Sequence, residues 1–348
     1  MAQYVTRNSA PREVYEAKLT KDFKKSHISN MFSGAGSFHS LPQNTYDCLI
    51  VDEAHRLNEK SGMFSHLGEN QVMEIIQASK CSIFFVDEDQ KVTLKDIGDK
   101  SEIRRWAIAA GATVSEFSLD SQFRCNGSDG YISWLDSALQ IRETANQTME
   151  GLDFDLQVFD NPAKLHSVIT EKNRKNNKAR MVAGYCWKWV SKNDPALMDI
   201  VIGSYQAQWN LTEHGQAWIM QLDSVSEVGC IHTCQGLEVD YVGVIIGPDL
   251  IVRNGKVLTY PEHRASTDKS VFGMKKLLSD DPSKGARRLD SIIKNTYRTL
   301  MSRGQKGCYV FSDDLETREY FSHFGIRSAS VGFVDQDPFA DEELELSF

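Results

Sequence analysis

Residues 48–57 read CLIVDEAHRL, four apolar residues running into an Asp-Glu pair. An apolar run this short, closed by acids, predicts a buried strand with Asp52 and Glu53 at its exit. The wider run YDCLIV (46–51) has counterparts along the chain: CSIFFV (81–86), ARMVAGY (179–185), DIVIGSY (199–205), YVGVIIG (241–247) and GCYVFS (307–312). Helical stretches lie between several of them, such as EIIQASK before Cys81 and SEIRRWAIAAG at 101–111. Buried strands alternating with helices predict an α/β chain whose parallel sheets are covered on both faces. Such sheets bind ligands at the carboxyl ends of their strands, which is where the polar strings fall.

At 348 residues the chain exceeds one ordinary core, and two domains are expected. The turn-like SLDSQFRCNGSDG puts the boundary near Asp120, giving a first lobe at 1–119 and a second at 120–334. Residues 335–348 form an acidic tail expected to be disordered. The polar EKNRKNNKAR (171–180) is expected to be a solvated loop. The net charge of −9 includes six acids in that tail, so −9 + 6 leaves −3 for the rest. That balance neither supports nor excludes a polyanionic partner. The seven cysteines are scattered, without a C-x-x-C pair, which fits reduced thiols in a cytoplasm. Cys230, His232 and Cys234, spaced by two, read as one face of a strand in preference to a zinc site. No signal-peptide core and no run of about eighteen apolar residues occurs, so no membrane partner is expected.

Phosphoryl transfer to water needs one carboxylate to help hold Mg²⁺ and a second to orient or deprotonate the water. Asp52 and Glu53 are adjacent and can divide those roles; a solvated acidic turn is the plainer alternative. In CSIFFVDEDQKV, Asp87 and Gln90 again stand at a strand exit. Asp89-x-Lys91 there also resembles half of a metal-dependent nuclease pattern, without a suitably placed partner acid. LDSQFRCN carries Arg124, and GCIHTCQGLEVDYVGVIIG sets Thr233, Gln235, Gly236 and Glu238 ahead of a long apolar run. NTYRTLMSRGQKGCYVFS places Arg303 just before another.

DEAH, D-x-x-Q, QFR, H-T-x-Q-G-L-E and T-L-M-S-R-G-x-K-G follow the order of motifs II to VI of superfamily-1 helicases. Their wording resembles the Schlafen-like bacterial helicase domains, and YVTRNSAPREVYEAKL resembles that family's motif Ia strand and helix. The resemblance runs from about residue 4 to 325. It implies two RecA-like lobes with ATP in the cleft and a single strand of DNA or RNA crossing both. By position it makes Asp52 the Mg²⁺ ligand, Glu53 the catalytic base and Gln90 the γ-phosphate sensor. Arg124 and Arg303 become arginine fingers, Gly236 and Glu238 lie near the ribose and the lobe interface, and Thr6, Arg7, Asn8 and Thr233 face the nucleic-acid backbone.

Two departures follow. No Gly-Lys-Ser/Thr string occurs in the chain, whereas the family has a phosphate-binding loop ahead of motif Ia, with the sheet's first strand. The expectation is therefore a first lobe truncated at its N-terminus and no nucleotide turnover by this chain alone. Motif VI has Ser302, not Thr, before Arg303, which keeps the hydroxyl. KLTKDFKKSH (18–27), RRLDSIIKNTYR (287–298), Trp187 and Trp189 are further candidates for strand contact. Two alternatives stand beside the motor: a nucleotide-dead module that binds nucleic acid or protein, and an accessory to a nuclease domain.

Overall fold

The computed structural model describes residues 1–7, 9–62, 66–119, 125, 129–210, 218–234 and 238–324. The first sheet has parallel strands β1 (Ala2–Thr6), β2 (Phe32–Gly34), β3 (Cys48–Asp52) and β4 (Ser82–Phe84), in the order β2-β1-β3-β4. Val5, Leu49 and Val51 point to one face and pack with Val72 and Ile75 of the helix Gln71–Ala78 and Ala107 of the helix Lys100–Ala109. The first of these helices starts at Gln71 because the Asn70 side chain accepts from the Val72 and Met73 amides. Phe84 packs into the same core, so its neighbours Ile83 and Phe85 point to the other face, where they are 43% and 45% exposed.

The second sheet joins β5 (Asp155–Phe159), β6 (Ala179–Ala183), β9 (Val228–Gly229), β10 (Val239–Ile246) and β13 (Gly304–Ser312) in the order β5-β13-β10-β6-β9, all parallel. Alternation along β10 and β13 shows both faces buried. Val242, Val244, Cys308 and Val310 enter one core with Ile293 and Tyr297, while Ile245, Tyr309 and Phe311 enter a second with Leu165 and Ile169. Gly243 lies on that second face, where a Cβ would come within 2.4 Å of Met181 Sδ. Two short antiparallel hairpins, β7 (Ile200–Ile202) with β8 (Tyr205–Ala207) and β11 (Leu250–Arg253) with β12 (Lys256–Thr259), stand apart from it. The chain is thus α/β with two parallel sheets, the plan of two RecA-like lobes.

Three expectations change. The run 199–205 is not one strand of a parallel sheet; Gly203, at φ +57°, and Ser204 turn it into the antiparallel β7–β8 hairpin. Residues 171–176 end the helix Pro162–Asn176, whose buried stripe of Leu165, Ile169 and Asn173 anchors it, and Arg180 is 1% exposed within β6. Cys230, His232 and Cys234 do not share a strand face, because Ile231–Cys234 is a short helix.

The segment after β4 joins the two lobes. Val92 is fully buried in the second lobe's core, and Leu94 packs on Val271, Leu289 and Ile292. The Leu94 amide donates to Ser270 at 2.8 Å, and the Ile97 amide returns to Leu57 in the first lobe at 2.8 Å.

Candidate functional site

β3 delivers Asp52 and Glu53 to the carboxyl end of the first sheet. The chain breaks from the strand at Glu53, whose φ of +51° and ψ of +41° are left-handed. A non-glycine residue there costs on the order of 1–3 kcal/mol, and such strain clusters at functional sites. The turn is held by the Ala54 amide, which donates to Phe85 at 2.9 Å. The Glu53 carboxylate is buried, with Oε2 3.0 Å from His55 Nε2. The Asp87 amide donates to His55 Nδ1 at 3.3 Å, which leaves the ring proton on Nε2, facing Glu53.

Asp52 is half-buried and accepts from the Tyr4 hydroxyl through Oδ2. Burial, and after it the bond to Asp52, raises the Tyr4 phenol above its ordinary range. Tyr15, edge-on to Tyr4, is raised by burial and then by the charges of Asp52, Glu53 and Glu238, so carboxylates of both lobes act on one place. Mg²⁺ keeps most of its waters and takes one or two carboxylates plus phosphate oxygens, so one oriented aspartate beside a second acid fits it. Among the described residues no group of three His, Cys, Asp or Glu side chains could hold a metal alone.

Asp87–Gln90 forms a tight turn in which Asp87 Oδ1 accepts from the Asp89 amide and Oδ2 accepts from Gln90 Nε2 at 2.7 Å. Gln90 is 1% exposed, and its Oε1 accepts from Arg303 Nη2 at 3.3 Å. Arg303, 2% exposed, is aimed by its Nε donating to the Thr299 carbonyl at 3.0 Å. Glu53, His55, Asp87, Gln90 and Arg303 therefore form one chain of contacts across the seam between the lobes.

The remaining candidates divide. Glu238 is exposed and accepts from Gln305 Nε2 at 2.5 Å. Arg7 is exposed beside Arg56 and Asp96. Thr6 and Thr233 do not lie on an open surface. Thr6 is fully buried in register between Gly34 and Asp52, and the Thr233 hydroxyl donates to the Cys230 carbonyl at 2.9 Å as part of its helix's first turn. Arg124, Gly236 and Asn8 lie outside the described residues. Three of the four bases of 287–298 turn inward, Arg288 donating to Leu94, Lys294 to Gln140 and Arg298 to Asp136, while Arg287 is exposed. Trp187 and Trp189 pack partly on the second core. Asp89 and Lys91 are committed to Arg142 and Asp99, which removes the nuclease pairing.

Sequence reasoning gave Tyr4, Tyr15 and His55 no role and offered Arg298 only as part of 287–298, a candidate for strand contact. It also missed a charged floor between the lobes, where His232 faces Arg56, Asp96, Arg264 and Asp268. Burial, followed by the charge of Arg56, lowers its pKa to about 4. Arg264 is fully enclosed between Asp249 and Asp268, at 2.9 and 2.8 Å.

The family model for the Schlafen group 3, DNA/RNA helicase domain matches residues 1–314. The chain belongs to that family. The Schlafen group 3 helicase domain accounts for the paired parallel sheets. The chain is also similar to Uncharacterized protein YPL245W of Saccharomyces cerevisiae, 25% identical over 303 residues. That match covers 78% of this chain and 64% of the yeast protein, so the chain spans less than two thirds of its relative's length. No helix among the described residues is long and apolar enough to cross a membrane.

Proposed function

We propose that this chain is the core of an ATP- and Mg²⁺-dependent translocase or helicase acting on single-stranded DNA or RNA. The observation that supports this most is the contact of Arg303 with Gln90, which links the second lobe to the acids at the end of β3. Bound between the lobes, ATP with Mg²⁺ would supply a terminal phosphoryl group whose transfer to water, with ADP leaving, releases the driving energy. Asp52, oriented by Tyr4, would hold the cation. Glu53, kept in place by His55, would orient and deprotonate the attacking water. Gln90 and Arg303 would meet the terminal phosphate, Arg303 neutralising charge that develops there. Arg124 would add a second guanidinium, and Gly236 and Glu238 would border the ribose. Arg7, with Asn8 and the loop around Thr233, would take up backbone phosphates. The seven free cysteines suit a reducing, cytoplasmic setting.

A second reading is a nucleotide-dead module that binds nucleic acid or protein. A third, a motor serving a fused nuclease, rests on family likeness alone. Steady-state ATP hydrolysis with and without single-stranded DNA or RNA, in a protein carrying the phosphate-binding loop in frame, separates them. Turnover that depends on Glu53 and rises with the strand supports the motor. Binding of the strand without turnover supports the module.

A further inference from the structure

Arg298 immediately precedes Thr299, the residue that anchors Arg303, on the helix Pro282–Met301, and is 6% exposed. Its Nε donates to Asp136 Oδ1 at 2.5 Å, and Nη2 stands 3.5 Å from Asp136 Oδ2. The rest of the guanidinium faces the first lobe. Nη1 is 3.9 Å from Asp87 Oδ2, and Nη2 is 3.9 Å from Asp89 Oδ2. Arg142 closes the group by pairing with Asp89 and approaching Asp136 Oδ2 at 3.5 Å. Three carboxylates and two guanidinium groups thus alternate across the seam.

The turn these contacts grip is the one that presents Gln90. Asp87 Oδ2 accepts from Gln90 Nε2 while it faces Arg298, so the same oxygen ties the amide's orientation to the second lobe. Asn295 Nδ2 donates to the Lys91 carbonyl at 3.1 Å, one helical turn before Arg298 on the same helix. We propose that Arg298 is a positioning residue, which holds the Asp87–Gln90 turn on the second lobe so that Gln90 Oε1 meets Arg303. Asp87, Asp89 and Asp136 would otherwise repel one another in a poorly solvated seam. A planar fork meets three carboxylates at once, whereas the ammonium of a lysine is a point charge and meets fewer. The role deepens the motor reading and rests on it only where turnover is concerned.

Hydrogen exchange across residues 87–97 of this chain tests the holding role without any nucleotide. Arg298→Ala strips Asp136 of its buried partner and puts folding at risk, so Asp89→Asn, which leaves the Arg298–Asp136 pair intact, is the principal variant. Asp89→Asn should raise exchange in this segment about tenfold while β10 and β13 keep their protection, and Arg298→Lys should fall between it and the parent. Unchanged exchange at 87–97, or equal acceleration throughout the second lobe, overturns the proposal. In a protein that carries the phosphate-binding loop, Asp89→Asn should lower kcat by up to roughly 100-fold with KM for ATP little changed. A loosened turn with kcat intact also overturns it. If the loop-bearing parent has no turnover at all, the motor reading fails, and the exchange comparison still decides whether the turn is held.

Discussion

Arg303 Nη2 donates to Gln90 Oε1 at 3.3 Å, a bond between residues 213 positions apart and from different lobes. Both side chains are buried, so the bond is shielded from water and its geometry is fixed from each side, by Thr299 on one and Asp87 on the other. Water exclusion strengthens a charge-assisted hydrogen bond and makes its loss expensive.

With the phosphate-binding loop present, Arg303→Ala should therefore lower ATP turnover by about 10³–10⁵-fold, the range for an arginine finger. Nucleotide affinity should change by only a few-fold. Turnover assays beside equilibrium binding of a fluorescent ATP analogue measure the two effects separately. Turnover that survives the substitution removes the finger role.

The 348-residue chain alone should show no ATP hydrolysis above background, because no residue string in it supplies the backbone cradle and lysine for the β- and γ-phosphates. Robust hydrolysis that disappears in Glu53→Gln contradicts this.

Strand binding should be weak and steeply salt-dependent. Arg7 is exposed, no base-reading module is evident, and each phosphate neutralised on a single strand contributes about −0.7 to the slope of log K against log salt. Arg7→Ala should reduce that slope by about one phosphate's worth. A salt-insensitive affinity, or selectivity for one sequence, argues against backbone contact.

The His232 ring gives a pH dependence with a definite sign. Its pKa falls from 6.5 to about 4 on folding, through burial and then Arg56. Between these values the unfolded chain holds a proton that the folded chain does not. Stability from this group is thus complete above the unfolded value and declines as pH drops toward the folded one, by at most about 1.4 kcal/mol per pH unit. Urea unfolding of His232→Gln should show a flatter decline over that window than the parent. Parallel curves exclude the ring as the source.

Val92→Ala should destabilise the second lobe by roughly 1–3 kcal/mol, although the residue follows a strand of the first, because its side chain is fully buried in the second core. Denaturation followed by exchange in β10 and β13 locates the effect. A loss confined to the first sheet refutes the packing argument.

The long apolar runs were legible because sheets buried on both faces need uninterrupted hydrophobic strands, and β3, β6, β10 and β13 all came from such runs. DIVIGSY misled because Gly203 and Ser204 are themselves a two-residue hairpin loop inside an apolar stretch. Arg180 was invisible as an interior residue. Its charge suggests solvent, yet it donates to Ser224, Asn173, Ile219 and Gln221, a network no local pattern announces. The Asp87–Gln90 turn was readable as chemistry, but its capture by Arg298 and Arg142 depends on the seam, where partners lie tens to hundreds of residues away. The resemblance makes Thr233 face the nucleic-acid backbone, and its local bond to the Cys230 carbonyl is a contact that the motif string does not announce.

β4 has consequences for handling the protein. Among the described residues it is the last strand of the first sheet, with no further strand beside it, and Ile83 and Phe85 are open to water on the adjoining face. An uncapped, apolar strand invites another chain to add to it. Concentrated solutions of these 348 residues should therefore associate, and a charge at Ile83 should keep them apart.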